Sequence, residues 1–342
     1  MRLLMLGGTE FAGRAVVEAA LGRGWEVTVF HRGRHEPVAG VRSLHGDRTA
    51  PDGLAALAEH TGEWDAVVDT WSAAPRAVRD SARLLRGRAG RYVYVSSRSV
   101  YAWAPPAGYT EDAPLVEGAE AGAEESDYAR DKLGGELGAV EGFGADRSVL
   151  VRAGLILGPY ENVGRLPWWL GRIARGGPVL APGPRDLPLQ YVDVRDLAQW
   201  VLGAVERELS GPYNLTGPRG HTTMGELLDA CVAVTGSDAE LRWTGPEVIL
   251  DAGIEPWTQL PVWVPPGSDL HDALHGSDVS RAVAAGLRCR PVEETVADTW
   301  RWLKDIGDTA PMRPDRTAKG LDPEVEAQVL AATGRGVPGT TP

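Results

Sequence analysis

Cysteine is nearly absent from the chain: two residues, Cys231 and Cys289, lie far apart in 342. That argues against a disulfide framework, and with no CxxC or Cys/His spacing no metal site is expected either. Lysine is scarce beside arginine, Lys132 being the only one before Lys304, and the net charge is −12. Binding nucleic-acid phosphates or an anionic lipid surface needs a positive field, so neither partner is expected. A local basic cluster, Arg83, Arg86, Arg88 and Arg91, reads as a solvated helix end and loop. No stretch approaches ~18 uninterrupted apolar residues, and the apolar start, Met1 to Leu6, is too short for a signal segment; a cytoplasmic protein is the expectation.

What is present is ordinary for a globular chain, 43% hydrophobic and 24% charged, and long enough for two lobes. Residues 1 to 6 read as a buried parallel strand. Gly7-Gly8-Thr9-Glu10-Phe11-Ala12-Gly13 then joins it to an apolar-periodic helix, Ala15 to Leu21. This is the strand, turn and helix context of a dinucleotide fingerprint. Gly7 makes the tight turn, the amides from Thr9 through Phe11 to Ala12 face a pyrophosphate, and Gly13 allows close packing of helix on strand. Glu10 stands where the central glycine usually is, and its carboxylate is compatible with a pyrophosphate only if it points outward.

Trp25 to Phe30 reads as a second strand ending in His31-Arg32-Gly33-Arg34. At this tip an acid selects the ribose hydroxyl of NAD, whereas an arginine pairs the 2′-phosphate of NADP. Arg32 and Arg34 with no acid between Glu26 and Glu36 predict NADP(H) over NAD(H). A third strand, Val41 to Leu44, leads to Asp47 and Arg48, read either as an adenine contact or as a plain loop. Residues 65 to 70 and 91 to 96 are the fourth and fifth strands, with a helix from about Ala74 to Leu85 between them. Alternating strands and helices give an α/β fold, a doubly wound parallel sheet.

Tyr128 and Lys132 stand four apart, one face of a helix. Such a pair is often mere packing. A nearby ammonium also stabilises a phenolate, and the pair can then exchange a proton at a carbonyl or carbinol. Arginine cannot stand in for that lysine as a compact charge, which weighs toward chemistry in a chain so poor in lysine. Ser96-Ser97-Arg98-Ser99-Val100-Tyr101 closes the fifth strand, at the sheet edge where such folds place their ligands, and one hydroxyl there suits a substrate oxygen.

Taken in order, the GGTxFxG loop at 7 to 13, Ser-Ser-x-Ser-Val-Tyr at 96 to 101 and Tyr-x-x-x-Lys at 128 to 132 resemble the extended short-chain dehydrogenase/reductases, also called the NAD-dependent epimerase/dehydratase family. Val151-Arg152, Gly158-Pro159 and residues 190 to 198 are similar to its later signatures, so the resemblance spans about residues 1 to 305. It implies a Rossmann domain with a smaller, mainly C-terminal substrate lobe. It makes Tyr128 the acid/base, Lys132 the ribose-binding residue and Ser97 the hydroxyl partner, four before Tyr101. The nicotinamide is expected along residues 150 to 155. Thr70, Ser96, Gly154 and Leu155 join the expected cofactor contacts, and Trp71, Trp103, Arg165 and Gln190 the substrate contacts. Two departures stand out: Glu10 in the loop, as in an atypical branch that includes stem-loop RNA-binding proteins, and Ala153-Gly154-Leu155, which lacks the proline and asparagine usual in nucleotide-sugar enzymes.

The expected division is a dinucleotide domain over 1–162, a lobe with returning elements over 163–305 and a tail over 306–342, read as a mobile appendage or a contact in a homodimer. Trp168, Trp169, Trp257 and Trp263 read mostly as core. Arg152, Arg165 and Arg195 keep an anionic small-molecule substrate open. The leading functional expectation is an NADP(H)-dependent oxidoreductase acting on a carbonyl or carbinol. The alternatives are a redox-neutral epimerase or dehydratase of a sugar or nucleotide sugar, and a non-catalytic NADP-binding or RNA-associated protein.

Overall fold

The apolar runs of the first half become strands of one parallel sheet. A computed structural model describes residues 1–120, 122, 123, 127–314 and 319–334. The chain divides into two units. Residues 1–156, 191–218 and 277–289 form the first; residues 157–190, 219–276 and the described residues from 290 onward form the second. The division thus falls at Ile156, ahead of the composition change near Val163.

The first unit runs β1 (Arg2–Leu6), α1 (Phe11–Gly22), β2 (Glu26–His31), β3 (Arg42–His45), α2 (Ala55–Glu59), β4 (Trp64–Asp69), α3 (Arg76–Leu85), β5 (Ala89–Ser97), α4 (Tyr128–Phe143), β6 (Ser148–Ala153), α5 (Val194–Glu206) and β7 (Gly211–Leu215). The sheet order is β3-β2-β1-β4-β5-β6-β7, parallel throughout. The order reverses between β1 and β4, the switch point at which a doubly wound sheet opens a crevice at its carboxyl edge.

Alternation along each strand feeds two cores. Leu3 and Met5 join Val16, Val17 and Ala20 of α1 and Leu197, Val201 and Ala204 of α5 on one face. Leu4 and Leu6 join Val78 and Leu85 of α3 and Ala139 and Phe143 of α4 on the other. At about 1.5–3 kcal/mol for each fully buried aliphatic or aromatic side chain, these clusters outweigh the poor helix propensity of the glycines in α4. Those glycines have a packing reason. A Cβ at Gly142 would stand 2.8 Å from Ala82 Cβ and 3.0 Å from Arg83 N, so the residue lets α4 lie against α3. The helix after the glycine loop begins at Phe11, four residues before the apolar periodicity, because Glu10 is extended and serves as N-cap.

In the second unit, parallel strands Pro178–Pro182 and Glu240–Thr244 pair beside helices Leu166–Ala174, Met224–Thr235 and Val292–Asp305. Two further short helices, Pro246–Asp251 and Asp269–His275, fall in segments with no readable periodicity. Trp169 and Trp263 are fully buried core, their indole N–H groups donating to Pro261 O at 2.7 Å and Gly183 O at 3.0 Å.

The expectation of a mobile tail beyond residue 306 is corrected over the described part. Helix Pro323–Gly334 is docked: buried Glu326 accepts Arg172 Nε at 2.6 Å and Leu180 N at 3.0 Å, and Leu321 and Val329 are buried. Arg313 N donates to Asn162 O and Gly320 N to Thr258 O, each at 3.0 Å. Residues 315–318 and 335–342 lie outside the described residues. Because removing one partner strands a buried charge, Glu326→Ala should lower unfolding free energy by about 3 kcal/mol in urea titration; an unchanged midpoint would show that the helix is not held this way.

Candidate active site

At the carboxyl edge of β1 the chain turns through Gly7 and Gly8, at φ +106° and +91°, a region closed to most side chains. A Cβ on Gly7 would stand 2.7 Å from Thr70 Oγ1, and one on Gly13 2.8 Å from Gly8 N. The loop therefore packs against both β1 and the end of β4. Glu10 makes no side-chain cap bond to α1, so the amides of the first turn are left for another acceptor. Its exposed carboxylate lies 3.7 Å from His35. Phe11 packs on the core at φ +31°, and Thr9 is half-buried beside it. A dinucleotide's pyrophosphate fits this cradle, because glycines give the approach and the loop's one carboxylate is exposed and drawn to His35.

At the tip of β2, Arg32 and Arg34 are exposed. His31 is buried, its Nδ1 accepting Gly33 N at 3.2 Å, and burial together with the neighbouring His45 pushes its pKa down. Asp47 turns back to accept the amide and hydroxyl of Thr49, at 3.0 and 2.7 Å; these bonds, with Arg32 and Arg34 nearby, hold its carboxyl below the usual range. Oδ1 of Asp47 thus shapes the turn. Arg48 is corrected from cofactor contact to internal support. It points inward and grips Asp69 with two bonds of 2.7 Å. Burial opposes the Asp69 charge, yet Arg48 outweighs it and keeps the carboxyl ionised below its ordinary range.

Tyr128 opens α4, where Asp127 caps the helix by accepting the amides of Ala129 and Arg130. It is 39% exposed, whereas Lys132, one turn on, is 3% exposed. The ammonium donates to Trp71 O and Val95 O, both at 2.6 Å, and lies 4.8 Å from the Tyr94 ring centre. It is thus anchored between the ends of β4 and β5, beside the glycine cradle. Ser97, the last residue of β5, caps the following turn by accepting Ser99 N at 3.1 Å. Ser96 is corrected from cofactor contact to internal support: its hydroxyl donates to Glu136 at 2.6 Å.

Glu136 was not anticipated, although it continues the Tyr128 and Lys132 spacing by another four residues. It holds buried Arg152 of β6 through bonds of 3.1 and 2.9 Å. Arg152 also donates to Tyr101 OH and Glu111 O, and Tyr101 OH donates to Asn214 at 2.5 Å. Burial pushes the Tyr101 phenol up to about 12. An arginine inside an apolar strand was the available signal that a buried carboxylate must face it. Its charge is spent there, so Arg152 is not open to an anionic substrate.

The other expected contacts divide. Thr70 Oγ1 donates to Leu6 O at 3.3 Å under Gly7. Gly154, just past β6, donates to Leu215 O, and Leu155 is buried. The Trp71 indole packs on Arg48 and donates to Ala74 O, so it is the Trp71 carbonyl that serves the site rather than the ring. Trp103 is 68% exposed. Arg195 is paired with Asp193 at 2.7 Å. In the second unit, Gln190 is buried, its main-chain N–H donating to His275 Nδ1, and Arg165 lies over Trp257 with Glu161 3.9 Å away. Arg88, read from sequence as solvated, instead donates to the carbonyls of Leu57, His60 and Gly62 at the end of α2 and stacks on Trp64. A cleft of about 650 Å³ opens at the amino-terminal strand ends, lined by Met1, Asp65 and Glu208 together with Arg88 and Trp64, at the opposite strand ends from Lys132. Among the described residues no cluster of three or more His, Cys, Asp or Glu suits a metal, and no helix is long and apolar enough to cross a membrane.

A sequence model of the NAD dependent epimerase/dehydratase family matches residues 3–216. Comparison with curated proteins returned no match. Among solved structures, the Bordetella bronchiseptica enzyme WbmH in complex with NAD+ is similar at 20% identity and TM-score 0.64, over 90% of this chain and 99% of that one. UDP-glucuronic acid 4-epimerase from Bacillus cereus in complex with NAD gives 14% and 0.62, over 90% and 99%. Bordetella bronchiseptica WbmG with NAD and UDP gives 18% and 0.62, over 93% and 99%. At these identities the likeness establishes the fold.

Glu161 provides a pH test in the second unit. It is fully buried, accepting Arg165 N and Leu166 N at 2.8 and 3.2 Å, and burial raises its carboxyl to about 6. A raised carboxyl pKa means that the folded state holds the proton more tightly, so stability falls as pH rises from about 4.5 to 6. Relative to Glu161→Gln, the protein should lose about 2 kcal/mol across that window, at ~1.4 kcal/mol per unit, measured by denaturant titration at successive pH values. Parallel pH curves for the two proteins would contradict the assignment.

Proposed function

Because the chain belongs to the NAD dependent epimerase/dehydratase family, we propose that it is an enzyme that moves hydride between a nicotinamide dinucleotide and an oxygen-bearing carbon of a small metabolite. One observation carries the reading: Tyr128 stands exposed at the head of α4 while Lys132, a turn below, is anchored to the ends of β4 and β5. A bound dinucleotide would supply the hydride chemistry. Gly7, Thr9, Phe11 and Gly13 would hold its pyrophosphate, and the Lys132 ammonium would orient its ribose. Tyr128 would take or give the proton of the substrate oxygen, with the Ser97 hydroxyl bonding that oxygen as charge develops.

The family and its epimerase-like structural relatives favour a redox-neutral course, in which the carbon is oxidised transiently and the hydride returned. A second reading, net reduction with NADPH, is favoured by Arg32 and Arg34 at the β2 tip with no acid in the sequence between Glu26 and Glu36. Dinucleotide retained through purification, together with turnover of a nucleotide sugar and no net NADPH oxidation, decides for the first. Steady NADPH oxidation on a carbonyl panel decides for the second.

On either substrate class, Tyr128→Phe should lower turnover by about 10²–10⁴-fold with dinucleotide affinity unchanged; full turnover would overturn the proton role. Cofactor choice is tested separately by calorimetry. NADPH should bind more tightly than NADH, and Arg32→Glu should weaken NADPH by about tenfold or more through loss of a charge-assisted bond while sparing NADH. Tighter binding of NADH by the unaltered protein would refute the NADP preference.

A further inference from the structure

We propose that the buried Arg48–Asp69 pair is a positioning device for Lys132, acting through the backbone of Trp71. The inference rests on the reading of Lys132 as a dinucleotide-binding residue. Asp69 ends β4 with both carboxylate oxygens engaged twice. One accepts Arg48 Nη2 at 2.7 Å and the Trp71 amide at 2.9 Å; the other accepts Arg48 Nη1 at 2.7 Å and Tyr92 OH at 2.6 Å. Trp71 therefore has its N–H fixed by a carboxylate, and a charge-assisted bond of this kind is about twice as strong as a neutral one. Its own carbonyl receives Lys132 Nζ at 2.6 Å and Tyr94 OH at 3.1 Å.

The route from guanidinium to carboxylate, amide, carbonyl and ammonium stays within one buried cluster. Arg48 is further secured by Nη1 donating to Ser81 Oγ at 3.2 Å and by the Trp71 indole, 4.8 Å from the guanidinium. Stability alone is a weak reason for such a pair, since apolar residues of similar volume often serve a core as well. What an apolar pair would not supply is an acceptor for Trp71 N–H, and with it a fixed direction for the carbonyl that holds Lys132. Trp71 thus acts through its main chain, and Arg48 and Asp69 act through Trp71.

The test is a double-mutant cycle on NADPH and NADH binding, read by calorimetry, with Asp69→Asn, Lys132→Met and the combination, each checked for cooperative melting. Each single change is expected to weaken dinucleotide binding by about tenfold, the scale of one charge-assisted contact, and the combination to bind no worse than Lys132→Met alone. Additive losses, or no loss in Asp69→Asn, would overturn the inference. Should Asp69→Asn fail to fold with Arg48 left unpaired, the paired replacement Arg48→Met with Asp69→Leu enters the same cycle under the same criteria. Absence of dinucleotide binding by the unaltered protein overturns the functional reading and this inference with it, whereas binding with additive losses overturns this inference alone.

Discussion

A lysine ammonium buried between two main-chain carbonyls is the constraint on which the first unit's site depends. Burying an unpaired ammonium is costly, and bonds to Trp71 O and Val95 O offset part of that cost only if both carbonyls stay where they are. Val95 O is fixed by the central strand β5. Trp71 O lies beyond the end of β4, where no ladder holds it, and so the local structure must. The demand for a rigid turn there explains the concentration of polar groups under it: Asp69, Arg48, Tyr92 and Tyr94, all buried or nearly so. Burial, with Asp69 next in weight, pushes the phenols of Tyr92 and Tyr94 well above their ordinary range, so they remain neutral donors.

The same logic repeats along the sheet. Arg48, Arg152 and, in the second unit, Arg172 are each buried against a carboxylate from a different element: Asp69, Glu136 and Glu326. Each pair ties together segments that hydrophobic packing alone would leave free to slide. Glu136 holds α4 to β5 through Ser96 and to β6 through Arg152, which fixes the helix that presents Tyr128. In a chain so poor in lysine, arginine is the cation available, and its planar fork suits two-point bonding to a carboxylate.

The strands were legible because alternating or continuous apolar runs have few other uses, and β1, β2, β4 and β5 fall within a residue or two of where such runs lie. The shared helix of Tyr128 and Lys132 and the turn at the glycine loop were legible because their spacing is local. The carboxylate partners were not: Asp69 and Arg48 are 21 residues apart, and Arg172 and Glu326 are 154 apart, so pairing them needs the tertiary fold. Hence Arg48 and Ser96 read as cofactor contacts while serving the interior, and the docked helix after residue 323 read as part of a tail. The short helices of the second unit escaped notice because six or seven residues carry too little periodicity to separate from loop.

The tip of β2 bears on the choice between a redox-neutral and a net-reducing enzyme more directly than the proton-transfer residues do. A catalyst that returns its hydride to the same substrate can keep one dinucleotide through many turnovers, and discrimination at the 2′ position then has little value. A catalyst that consumes reduced cofactor must draw on a pool, and there a 2′-phosphate distinguishes one pool from another. Arg32 and Arg34 are exposed, and no carboxylate stands on the strand tip between Glu26 and Glu36 to take the ribose hydroxyls of NAD. His31, at the strand end itself, is turned inward, and burial with the neighbouring His45 disfavours its charge, so it does not contribute to a positive tip. A measured preference for the phosphate would therefore favour the net-reducing course and indifference at the 2′ position the redox-neutral one, with Asp47 lying near enough to both arginines to temper their charge.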